Sequence, residues 1–296
     1  MDKNKIISLL KLLEDPDEKV FSIVKDKILS YGELFKIYLE NYHTLSINEL
    51  ALQRSEDILD EIFWENFKTK FTEYLTNPKA NFAKGVFLIE KFFNRDIDIK
   101  EISKKYEEIK TSVWIEFNEY LTNIEKIRIL NTVIFKQLGF KKLKSNEMKS
   151  DALSITYCIS NKRFLAPNIA LLYCMLSDEL QIPVFPTNLQ DLFVLCYCNQ
   201  DIQSKISENK TNDIIFFLYP YEEGAILPID IAAKHFENLK QKIETTKTID
   251  EVEPTNYNSF LFNYFTIRII TLRIAKIENF STKYYEKLES IFKKYL

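Results

Sequence analysis

The chain holds four glycines in 296 residues, where ordinary usage of about 7% would supply roughly 20. That scarcity constrains the fold more than any other feature. Phosphate-cradling loops need glycines that let the backbone approach a ligand, and neither a GxGxxG nor a Walker-type string is present. Glycine-rich turns of sandwiches are equally disfavoured, so a mainly helical chain is expected. Hydrophobic residues make up 46% of it, enough to build a core. Forty Lys and Arg face 43 Asp and Glu, for a net charge of −3. No global basic excess serves nonspecific nucleic-acid binding, and the charges are interspersed, with no polybasic tail.

Two histidines, His43 and His235, are the only imidazoles available as a general base. His43 reads as structural, in a connection between helices, and His235 as an exposed helix residue. Cys158, Cys174, Cys196 and Cys198 cannot supply a disulfide-dense scaffold. Cys196 and Cys198 are spaced C-x-C, neither the zinc nor the thioredoxin pair, and alternation puts both on one face of a strand as packing residues. No metal or cofactor site is expected. The N-terminal run has no small-residue cleavage site, and no stretch approaches the ~18 apolar residues of a membrane span. A soluble, cytoplasmic chain without membrane or nucleic-acid contact is the expectation.

Apolar spacings of three and four predict helices from residue 3 to about 137. Ile6, Leu9, Leu10 and Leu13 share one face. Asp15 reads as the N-cap of the next helix, with Pro16 at its first position and Val20, Val24 and Ile28 on its core face. After about residue 150 the texture changes. A helix over 168–181 is followed by strand-like runs at 184–185, 192–197 and 213–218, the last continuous enough to be covered on both faces. From about 255 the chain is helical again. The expected organisation is a helical, HEAT-like region over 1–122, an α+β core over 123–235 with a small antiparallel sheet, and C-terminal helices over 236–296.

Four segments carry a likeness in the same order. They are LLEDPDEKVFSIVKDKILSYG (12–32), ILNTVIFKQLGF (129–140), NKRFLAPNIALLYCMLSDELQIPVFPTNLQDLFVL (161–195) and IIFFLYPYEEGAIL (214–227). Together they resemble the SirB-type transglutaminase-like proteins of bacteria. All four glycines read as turn or helix-end positions in that pattern. The resemblance implies a papain-like core, with a cysteine at the N-terminus of the central helix, a histidine on a following strand, and an Asp or Asn on the next.

By that likeness the three slots fall at Pro167, Leu192 and Tyr219, and all three catalytic groups are lost. Asn168, Asp191 and Tyr221 are the candidate residues of the remaining cleft. Cys174, two turns into the helix, reads as a buried core thiol. The expected function is a non-catalytic transglutaminase-like module that binds a protein partner or small ligand. Two alternatives remain open: an active cysteine hydrolase with a displaced centre, such as Cys174 or Cys158 with His235, and a purely helical scaffold.

Overall fold

The computed structural model describes residues 2–144, 149, 151–189, 192–199, 214–232, 234 and 251–296. The chain forms two compact units, Met1–Thr76 and Asn77–Leu296.

The first unit contains α1 (Lys3–Lys11), α2 (Glu18–Leu29), α3 (Glu33–Leu45) and α4 (Glu49–Thr76). Ile6, Leu13, Val24, Ile28, Phe35 and Leu39 interlock in one apolar cluster with α4 residues Ala51, Ile58 and Ile62. The buried Arg54 of α4 donates to the carbonyls of Leu13 (3.1 Å) and Asp15 (2.5 Å) and to Glu18 (2.6 Å). These bonds hold the α1–α2 connection against the unit's core. The cap of α2 differs from the sequence expectation. Asp17, not Asp15, accepts from the second helical amide, Lys19 N, at 2.8 Å. Asp15 instead accepts from Asp17 N at 2.9 Å, so the two carboxylates divide the turn between them.

The second unit begins with α5 (Phe82–Phe93), α6 (Ile99–Ile115) and α7 (Asn123–Asn131). The helix of α7 continues as a π-helical turn over Thr132–Gln137. A two-residue parallel pair follows, β1 (Lys141–Lys142) beside β2 (Arg163–Phe164), with α8 (Ile155–Asn161) between them. Next comes α9 (Ala166–Glu179), then β3 (Val184–Pro186), β4 (Leu195–Cys198), β5 (Ile214–Tyr219) and β6 (Ala225–Leu227), an antiparallel meander in sequence order. The chain ends in α10 (Tyr257–Ile274), α11 (Phe280–Lys283) and α12 (Tyr285–Tyr295).

Central to this unit is α9. Every residue from Pro167 to Ser177 is buried, the signature of a helix apolar on all sides and enclosed by other elements. It touches α5, α8, α10, β3 and the turn after β5. The expected small antiparallel sheet beside the helix near 168–181 is therefore present. Among the described residues no strand occurs before 141.

Two expectations need correction. Gly85 does not lie at a turn or helix end. It sits within α5, buried with Phe82, Val86 and Ile89. His43 is not in a connection. It belongs to the last turn of α3, where its Nδ1 lies 2.8 Å from the Oγ of the fully buried Ser55.

Candidate functional site

The entry to α9 is built from Leu165-Ala166-Pro167-Asn168. Leu165 is extended, and Pro167 falls in the first helical turn, where a missing N–H costs nothing. Asn168 is fully buried. Its Oδ1 accepts from Leu165 N at 2.8 Å, and its Nδ2 donates to the carbonyls of Ala152 (2.9 Å) and Ser154 (3.2 Å). The amide is thus committed to the backbone at the start of α8 and α9. This end of the helix carries no sulfur, hydroxyl or free carboxylate.

Leu192 and Tyr219 share one apolar cluster with Phe185, Val194, Cys196 and Phe217. Strand pairing explains it: Leu195 faces Leu218 and Cys196 faces Phe217, so the last residue of β5 lies beside the start of β4. From Tyr219 a row of rings leads toward α9. Tyr219 and Tyr221 are 6.4 Å apart, Tyr221 and Phe164 are 6.2 Å apart, and Phe164 precedes Ala166 by two residues. Tyr219 and Tyr221 are half-buried, and burial raises the Tyr219 phenol above its ordinary pKa. Pro167 is buried in α9 itself. Asp191 and His235 lie outside the described residues. Phe193, next to Leu192, adopts a left-handed φ of 51°, rare for a bulky aromatic residue, and packs edge-on against Phe260 at 6.2 Å.

All four thiols are buried. Burial pushes the Cys158 and Cys174 thiols far up, with Asp178 adding to the effect at Cys174. Cys196 is raised by burial and by its neighbour Cys198, whose Sγ lies 3.7 Å away. The C-x-C pair therefore does share one strand face, as alternation predicts. Among the described residues no group of three or more His, Cys, Asp or Glu side chains could hold a metal ion.

Sequence reading missed two polar nodes that position this region. Glu90 of α5 is buried and accepts from Tyr264 (2.8 Å) and from Ser154, the N-cap of α8 (2.6 Å). Arg268 of α10 pairs with the same carboxylate. The second node centres on Asn131, where α7 becomes π-helical. Its Nδ2 donates to Gly224 O at 2.8 Å, and its Oδ1 accepts from Tyr173 of α9 at 2.5 Å. Only the lone Asn in the apolar run ILNTVIF hinted at it. A separate cavity of about 320 Å³ lies along α7, lined by Leu121, Glu125, Arg128, Ile129, Thr132 and Val133.

A buried central helix, an antiparallel meander against it and helices on both flanks make up an α+β domain. The sequence profile of the transglutaminase-like superfamily matches residues 100–261, more than half of the chain. The chain belongs to the transglutaminase-like superfamily. Searches of curated proteins and of solved structures returned no match.

Proposed function

We infer that this domain is a non-catalytic binding module of the SirB type, whose cleft beside the entry of α9 takes a segment of a protein partner or a small ligand. The observation that carries this reading is the state of the thiols. Acyl transfer by a cysteine needs a thiolate, lowered in pKa and within reach of a base. Here every cysteine is buried, and the thiols of Cys158, Cys174 and Cys196 are pushed the opposite way. Pro167, Leu192 and Tyr219 in the three slots fit the same reading, since none can serve as nucleophile, imidazole base or carboxylate orienter. His43 belongs to the other compact unit and faces Ser55. The four-stranded sheet removes the purely helical scaffold as an alternative. Tyr219 and Tyr221, each an apolar ring with one polar tip, suit recognition of a side chain or small molecule.

The test pairs an amine-incorporation assay on a glutamine-bearing protein with iodoacetamide labelling read by mass spectrometry. The expected result is no incorporation, and alkylation of Cys174 only at the rate of unfolding. Fast, selective alkylation of Cys174 or Cys158 at neutral pH, with turnover lost in His235→Ala, would establish the displaced hydrolase centre instead.

A further inference from the structure

The ribbon of β1 and β2 concentrates positive charge in a chain whose net charge is negative. From Lys126 to Lys144 the sequence contains Lys126, Arg128, Lys136, Lys141, Lys142 and Lys144 and no carboxylate. From Ser154 to Ser177 it contains Lys162 and Arg163 and again no carboxylate. Folding brings the ends of these two stretches together. Lys141 N donates to Lys162 O at 3.0 Å, Leu143 N donates to Phe164 O at 2.9 Å, and Lys141 is the register partner of Arg163. Lys141 and Lys162 are exposed, and neither forms an ion pair among the described residues. Lys142 pairs with Glu222 at 2.6 Å, and its ammonium sits 4.5 Å from the Tyr221 ring centroid. That contact places the ribbon beside Tyr221, one of the two rings assigned above to the binding cleft. Among the described residues, Glu222 and the exposed Glu223 bring carboxylates to that side.

We propose that the β1–β2 ribbon, with Lys141, Lys142, Lys162 and Arg163, is a docking surface for a carboxylate-rich segment of a partner protein, whose adjoining residues enter the cleft at Tyr221. Ribbon size favours an acidic peptide over a nucleic acid. Two paired residues per strand span only about 7 Å, enough for a few carboxylates but short for a phosphate track. The proposal deepens the binding-module reading and takes its cleft from it.

The experiment is fluorescence anisotropy of a labelled oligoglutamate peptide titrated with the full chain, at low and at physiological ionic strength. Binding that weakens with salt is expected. Lys141→Glu with Lys162→Glu should weaken it about tenfold, since two attractions become repulsions. The neutral pair Lys141→Gln and Lys162→Gln should give a smaller loss in the same direction, with a melting temperature no lower than that of the parent. Lys293→Glu with Lys294→Glu on α12 should leave binding unchanged. The proposal is overturned by absence of binding at low salt, by equal loss in the α12 variant, or by a single-stranded oligonucleotide that binds more tightly than the peptide. Amine incorporation by the same preparation would overturn the non-catalytic reading alone and leave peptide docking intact.

Discussion

Replacing Gly224 by Ala tests the node that joins α7, α9 and the β5–β6 turn. Gly224 is buried, has a φ of +71°, and would carry a Cβ 2.5 Å from Asn131 Cγ, 2.6 Å from Nδ2 and closer still to Oδ1. The left-handed conformation costs an alanine roughly 1 kcal/mol. The Cβ also forces the Asn131 amide aside, which removes its bonds to Gly224 O and from the Tyr173 hydroxyl, worth about 1 kcal/mol each. Tyr173 is fully buried, so its hydroxyl loses its partner without gaining water, at a further cost of about 1 kcal/mol or more. The sum is about 4 kcal/mol, measurable as a lowered urea midpoint by circular dichroism. Asn131→Ala loses the same two bonds and the same Tyr173 partner, so the double variant should be about 3 kcal/mol more stable than the sum of the single losses. A loss below about 1 kcal/mol for Gly224→Ala, or strictly additive losses, would refute the reasoning.

Two further outcomes follow from buried groups. Glu90→Ala leaves Arg268, Tyr264 and Ser154 facing an empty acceptor site and should destabilise the second unit by about 3–5 kcal/mol, read as a fall in melting temperature; a loss under about 1 kcal/mol would show that water replaces the carboxylate freely. The thiols of Cys158, Cys174 and Cys196 stay protonated in the folded chain at pH values where the unfolded chain, with thiol pKa near about 8.5, ionises. Stability should therefore be full below about pH 8.5 and fall above it, by about 4 kcal/mol per pH unit once all three ionise on unfolding. A urea midpoint that stays level between about pH 8 and 10 would mean that these thiols ionise in the native state.

The helices were legible because their signal is local. Ile6, Leu9, Leu10 and Leu13 repeat at helical spacing, and the run around Ile214–Leu218 is apolar without alternation and buried over most of its length, with Ile215 exposed where both faces were expected to be covered. Boundaries were less legible where two residues could do one job. Asp15 and Asp17 both suit a helix cap, and only the folded turn assigns the Lys19 amide to Asp17. Gly85 was misread because glycine scarcity makes every glycine look like a turn, whereas burial on a packed helix face also suits a residue without a side chain. At the candidate site, the sequence offered Pro167, Leu192 and Tyr219 only through resemblance. The shared cluster of Leu192 and Tyr219 arises from antiparallel register, which one-dimensional spacing does not encode.

The sequence by itself determined the helical character of the chain, the place of the sheet, and the absence of a cysteine at the entry of α9, because backbone propensity, apolar periodicity and residue identity are properties of neighbours along the chain. Tertiary structure alone decided which polar groups are partners. Glu90 meets Arg268 across 178 residues and Asn131 meets Gly224 across 93. Buried polar atoms must find partners wherever the packed chain supplies them, and Lys141 stands opposite Arg163 for the same reason of packing, since strand pairing and not sequence distance sets which charges meet.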